Sequence, residues 1–166
     1  VTFLNKAKIT RAGKITNAAI ILLGREESEH FLSPAVCVIR WKLIAKEDKN
    51  KDFHNFHVPM IKSVEEITTG YIRNNNYVYT VSGNIFPENM MRYDVFTLRE
   101  PICNGIGHQD YGMGARIELL EYEAEKLVIQ NYGQFIPNSV EDVVEKDCPD
   151  SRYRNPFLME AMCNIG

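Results

Sequence analysis

Between Ala35 and Ala45 apolar and polar residues alternate, with Cys37, Ile39, Trp41 and Leu43 on one side and Val36, Val38, Arg40 and Lys42 on the other. That period of two predicts a half-buried strand with Trp41 in the core. The charged run Lys46–Asp52 reads as a turn, and the alternation over Phe53–Val58 returns as an antiparallel partner. From Pro59 the period becomes helical, placing Ile61, Val64, Ile67 and Tyr71 on one face until Asn74-Asn75-Asn76 ends it, and Tyr77–Val81 reads as a further strand. Earlier, Ile15–Gly24 carries the punctuation of a short helix. Thr16 stands at the cap, Ile15 and Ile20 at the staple positions, and Gly24 at a left-handed stop.

Asp94 opens a longer helical pattern. Val95, Leu98, Ile102 and Ile106 line one side, while Glu100, Asn104 and His108 recur every four residues on a neighbouring stripe. Glycines at 105, 107, 112 and 114 loosen its end and lead into alternating strands over Arg116–Tyr122 and Lys126–Asn131. Ser139 caps a short helix, and Asn155-Pro156 starts a last one as cap plus first-turn proline. Hairpins mixed with helices predict an α+β protein, a two-layer α/β sandwich whose mixed or antiparallel sheet carries its helices on one face.

Composition narrows the class. With 166 residues, 45% hydrophobic and 25% charged, the chain is long and apolar enough for one domain core. The longest apolar run, Ala18–Leu23, is far short of the about 20 residues that span a bilayer, and no signal-peptide pattern opens the chain. A cytoplasmic protein without a membrane partner is expected. Net charge is −3 with no Lys/Arg block, so any DNA contact is expected to belong to another part of the protein. Cys37, Cys103, Cys148 and Cys163 lack CxxC spacing, which argues against a disulfide framework or zinc site.

The stripe is the first candidate for chemistry. Glu100 and Asn104 lie one turn apart and can meet a common ligand, the carboxylate as a base for water and the amide oxygen as a hard ligand for Mg²⁺. Spacing alone is also that of an ordinary solvated face. His108 and Asp110 can form a paired polar site or hold the loop after the helix, the latter being the commoner arrangement. His54 and His57, three apart on an expected strand, should point to opposite faces and not share a metal. Tyr77 and Tyr79 read as sheet packing before base stacking, and the acidic run Glu141–Asp150 as a solvated face.

Several segments together carry a family resemblance. Leu98-Arg99-Glu100-Pro101-Ile102-Cys103-Asn104-Gly105-Ile106-Gly107-His108-Gln109-Asp110-Tyr111 resembles the LREA-x-x-NA-x-x-HRDY signature of RecG-related, Schlafen-AlbA-associated transcriptional regulators. Ile15-Thr16-Asn17-Ala18-Ala19 with Leu22-Leu23-Gly24, Leu127–Gly133, and Tyr153-Arg154-Asn155-Pro156 resemble that family's entry helix, strand end and RNP helix start, in the same order. The resemblance implies a GHKL ATPase-like, Bergerat-type domain over 15–166, with 1–14 as the tail of a preceding segment or linker. It also implies a longer bacterial protein in which flanking domains contact DNA. Glu100 would be the general base and Asn104 the Mg²⁺ ligand. Asn131 and Gly133 would stand in the adenine-holding box, with His108 and Asp110 beside the nucleotide.

The departures from that pattern are informative. Asn131 replaces the usual Asp, so a neutral acceptor worth about 1 kcal/mol replaces a charged one worth about 2. No later Gly-x-Gly-x-Gly lid cradles phosphates. Pro101 should kink the helix beside Glu100, and Gln109 stands where the family has Arg. Without a P-loop, helicase action is not expected. The expectation is a regulatory, nucleotide-site-like module with weak binding of ATP and Mg²⁺, or none, leaning away from ATPase catalysis. The alternative is a non-catalytic scaffold or homo-oligomerisation domain that positions DNA-binding flanks.

Overall fold

The computed structural model describes residues 2–45, 49–73, 78–79, 88–89, 91–123, 125–137, 139–145 and 152–165. The expected strand at Tyr77–Val81 lies mostly outside them, as does much of the acidic run. The chain opens with α1 (Thr2–Lys6) and a small hairpin of β1 (Thr10–Arg11) and β2 (Lys14–Ile15). These elements fold onto the rest of the chain. The Thr16 hydroxyl donates to the Lys8 carbonyl at 2.7 Å, and Lys8 pairs with Glu160 at 3.1 Å.

Thr16 also caps α2 (Asn17–Leu23), accepting from the Ala19 amide at 3.1 Å. Gly24 ends that helix, but not in the left-handed conformation expected: its φ is −66°. Glycine is required there by space, since a Cβ would stand 2.4 Å from the Ile20 carbonyl oxygen and 2.5 Å from the Ser28 hydroxyl. A 3-10 segment, Glu26–Leu32, follows without a sequence signal that marked it.

The central sheet is built from β3 (Ile39–Ile44), β4 (Asn50–Phe56), β7 (Ile117–Tyr122) and β8 (Lys126–Gln130), in the order β4-β3-β7-β8. Both hairpins are antiparallel, and the central pair β3–β7 is parallel, with Ile39 opposite Ile117 and Trp41 opposite Leu119. The sheet is therefore mixed. Two residues each of β5 (Val78–Tyr79) and β6 (Glu88–Asn89) pair separately.

Alternation along β3 and β7 buries Ile39, Trp41, Leu43, Ile117 and Leu119 on the helix-covered face. The opposite face carries half-buried polar groups, with Arg40 donating to Asn55 at 2.9 Å and Lys42 paired with Glu118 at 2.7 Å. Five apolar side chains of this size contribute roughly 1.5–3 kcal/mol each, so the burial asymmetry decides which face the helices take. Glu121 is an exception on the buried face. Its carboxylate accepts from the Trp41 indole at 2.8 Å and from the Arg73 amide at 3.0 Å, tying the end of the helical layer to the sheet.

α3 (Met60–Glu66) continues as a π turn over Ile67–Tyr71. Its buried face is Met60, Ser63, Val64, Ile67 and Thr68, which includes Val64 and Ile67 of the expected stripe, whereas Ile61 is 38% exposed. The wider π turn shifts the register after Glu66, and Tyr71 reaches Trp41, His54 and Phe56.

α4 (Val95–His108) starts as expected, the Asp94 carboxylate accepting from the Phe96 and Thr97 amides. It continues as one helix through Pro101. Leu98, Ile102 and Ile106 are buried, and Gly105 lets the helix approach Ile117 and Ile129. α6 (Pro156–Ile165) packs against α2 and α4 in this layer, and a short α5 (Val140–Val144) precedes it with Val140 and Val144 exposed. No helix among the described residues is long and apolar enough to cross a membrane.

Candidate functional site

An α-helix leaves its last four carbonyls without internal partners, and a buried helix end must find donors elsewhere. At the end of α4 these are the carbonyls of Ile106, Gly107, His108 and Gln109. The Tyr111 hydroxyl donates to Ile106 at 2.9 Å. The Asn155 amide donates to Gly107 from its backbone at 3.0 Å and from its side chain at 3.1 Å. The Arg154 Nε donates to His108 at 3.3 Å, and the Asn155 side chain also reaches Gln109 at 2.8 Å. All four carbonyls are satisfied by residues of the two motifs at 108–111 and 153–156.

The end of β8 joins the same corner. Asp110 donates its amide to the Tyr132 carbonyl at 2.7 Å, and the Gln109 side-chain oxygen accepts from the Tyr132 amide at 2.8 Å. The Gln109 amino group donates to Ala115 at 2.8 Å, so this side chain, only 1% exposed, is fully used. Gly133 sits at φ +145°, a conformation L side chains rarely adopt, and Arg154 lies directly over it. The Arg154 guanidinium donates to the Gln134 carbonyl at 2.5 Å and pairs with Asp110 at 3.6 Å.

Electrostatics in the corner follow from this crowding. His108 has its pKa lowered below 6.5 by burial first and by the neighbouring Arg154 cation second. Its ring lies 5.0 Å from that of Tyr153. Tyr111 is pushed well above its ordinary range by burial. Elsewhere, burial raises the Cys37 thiol to about 12, which removes it as a nucleophile near neutral pH.

Three segments with candidate residues thus meet: His108 and Asp110, Asn131 to Gly133, and Arg154 with Asn155. Glu100 and Asn104 lie on the same helix stripe but toward its other end. At 1.5 Å rise per residue Glu100 is about 12 Å and Asn104 about 6 Å along the axis from His108. Glu100 is exposed, and at roughly 100° per residue it falls opposite the buried Leu98–Ile102 side. Asn104 is half-buried, and neither side chain has a hydrogen-bond partner among the described residues. Asn131 and Gly133 are exposed at the corner.

Cavities among the described residues have other linings. A groove of about 910 Å³ lies between the β1–β2 hairpin, α2 and the 3-10 segment, lined by Ile9, Ile15, Ile20, Leu23 and Phe31 among others. A cavity of about 240 Å³ reaches α4 only through Arg99, Cys103 and Ile106. One of about 340 Å³ runs along Glu29–Val38. Another of about 450 Å³ runs along residues 54–59, where the His54 ring packs against Phe56 and Tyr71 and, among the described residues, shares no partner with His57. β4 ends at Phe56, so the two-residue period no longer governs His57. The His57 Nδ1 meets the Glu29 carboxylate at 3.1 Å, and Glu29 also accepts from the Val58 amide. No group of three or more metal-ligating side chains is assembled among the described residues.

Sequence reasoning missed two central residues of the corner. Gln109 was read as the loss of a cation, whereas it is a buried amide that bridges two backbone segments. Asn155 was read as a helix cap, whereas its side-chain nitrogen donates away from α6 to the end of α4. Arg154 stands in the quoted RNP segment, yet nothing local signals its contact with Gly133.

No protein-family model matches the chain, and no curated protein matches it. The chain is similar in structure to the crystal structure of the DIP2311 protein from Corynebacterium diphtheriae, with a TM-score of 0.71 at 15% sequence identity. The match covers 98% of this chain and 32% of that one, so the chain spans about a third of the length of its structural neighbour. At this identity the likeness shows the fold.

Proposed function

We propose that this chain is a regulatory, nucleotide-site-like domain of GHKL type from a RecG-related, DNA-associated transcriptional regulator. It binds Mg-ATP weakly, through Glu100, Asn104, Asn131 and Gly133, and hydrolyses it poorly or not at all. One observation carries the reading. The Asn131–Gly133 corner is hydrogen-bonded to the end of the helix that bears Glu100 and Asn104, through Tyr132 to Gln109 and Asp110. Half-buried Asn104, without a partner among the described residues, supplies a spare amide oxygen for a hard cation. The exposed Glu100 has no hydrogen-bond partner among the described residues to orient it as a general base, which supports binding over catalysis.

Mg-ATP at 100 times its Kd should stabilise the fold by about 2.7 kcal/mol, read as a rise in melting temperature. Glu100→Ala or Asn104→Ala should remove that rise. An unchanged melting curve with wild-type protein at millimolar Mg-ATP refutes the reading.

A second reading, as a scaffold that self-associates and positions DNA-binding flanks, is favoured by exposed apolar side chains. Phe3, Ile15 and Phe31 are 76%, 70% and 68% exposed, and the last two line the large groove. Sedimentation across a hundredfold concentration range separates the two readings: self-association supports the scaffold, and a persistent monomer opposes it.

A further inference from the structure

The corner that the nucleotide reading assigns to adenine already holds a side chain of the protein itself. Gly133 presents its α-carbon without a Cβ, the kind of bare backbone that lets a flat group come close. The group that comes close is the guanidinium of Arg154. A Cβ built on Gly133 would stand 2.8 Å from Arg154 Nε, 3.0 Å from Nη2 and 3.1 Å from Cζ, so the planar cation covers the glycine. A guanidinium and a purine ring compete for the same kind of surface, since both are flat and both stack.

Arg154 is held there on three sides. Its Nε donates to the His108 carbonyl, its Nη2 to the Gln134 carbonyl, and its Nη1 faces the Asp110 carboxylate at 3.6 Å. These tethers are graded. The bond to His108 is long at 3.3 Å, the ion pair is open to solvent, and a quarter of the side chain remains exposed. Two of the three tethers are long, and the short one, at 2.5 Å, goes to the exposed Gln134 carbonyl that water can serve in its place, so the side chain can leave without unfolding the corner. Asn155 and Gln109 keep α4, β8 and α6 joined through contacts that do not involve it.

We propose that Arg154 is an internal lock: it occupies the Gly133 cradle in the resting protein, and a purine nucleotide binds only when the guanidinium is displaced. This rests on the nucleotide reading above and deepens it by assigning a regulator to that site. The lock makes the low affinity a property of one displaceable side chain, beyond the loss of an aspartate at Asn131. An acidic group that attracts Arg154 away from Asp110 would open the site, which offers a route by which a partner surface could control it.

The test compares wild type, Arg154→Ala and Arg154→Lys by isothermal titration with Mg-ATP, together with amide hydrogen exchange at residues 132–135 without ligand. The expected result is at least tenfold tighter binding in Arg154→Ala, abolished by adding Asn104→Ala, and faster exchange over 132–135 in the unliganded variant. Arg154→Lys keeps the charge but loses the planar fork, and it should fall between the two. It also carries the test if the alanine variant does not fold. If wild type binds through Asn104 and neither variant binds more tightly, the lock is overturned and the nucleotide reading stands. If no variant binds Mg-ATP, both fall together.

Discussion

Midway along α4, Glu100 is exposed and Asn104 half-buried, and both lack hydrogen-bond partners among the described residues. At the helix end, every carbonyl from Ile106 to Gln109 is satisfied and Gln109 is buried with both ends of its amide bonded. The same helix therefore carries one polar region committed to architecture and one left open. The difference teaches how to weigh a polar motif. A group whose hydrogen bonds are already made by the fold cannot be removed cheaply, whereas a group with none made by the fold is available to a ligand.

Substitutions can break this contrast, beginning with the largest effect. Gln109→Leu strands the Tyr132 amide and the Ala115 carbonyl, each costing about 1–3 kcal/mol, so a loss of about 2–6 kcal/mol is expected in urea denaturation. A loss below 1 kcal/mol would show that solvent replaces the amide and that the corner is not sealed. Gly107→Ala places a Cβ 2.2 Å from the Met159 sulfur, and pushing α6 outward should cost about 1–3 kcal/mol. A neutral Gly107→Ala would mean that Met159 repacks freely.

In the open region, Glu100→Ala and Asn104→Ala should each change stability by no more than about 0.5 kcal/mol while removing the Mg-ATP response. A destabilisation above 1 kcal/mol in either would place that side chain in the architecture and dissolve the contrast. The smallest effect concerns pH. His108 has a folded pKa below the unfolded value of 6.5, so the unfolded chain binds more protons between the two. Its contribution is present above about pH 6.5 and is lost as pH falls through the folded pKa. His108→Gln should flatten the stability profile over that acidic window, as followed by chemical denaturation at successive pH values, and an unchanged slope would remove His108 as its source.

Much of the local structure was legible. The alternation around Trp41, the Phe53–Val58 return, the Asp94-capped helix and the two strands after Arg116 each follow from a period and a cap confined to neighbouring residues. The candidate site was legible only as a list of positions. His57 illustrates the limit: β4 and its two-residue period end at Phe56, and the contact of His57 with Glu29, 28 residues away, has no local signal. The π turn over Ile67–Tyr71 was likewise not marked by the helical period, since its wider winding depends on packing beyond the neighbouring residues.

Sequence by itself indicated an α+β chain, the approximate positions of β3, β4, β7, β8 and α4, and the apolar faces of β3 and α4, although β4 begins at Asn50 inside the run read as a turn. Those features depend on side-chain period and capping, which act within about one or two turns. Only the tertiary structure decided that β3 and β7 pair in parallel, that Glu121 is buried against Trp41, and that Arg154 and Asn155 close the end of α4 from 46 and 48 residues away. Hydrogen bonds across such separations are chosen by the packing of the layers, and no local pattern in the chain encodes which donor will reach which carbonyl.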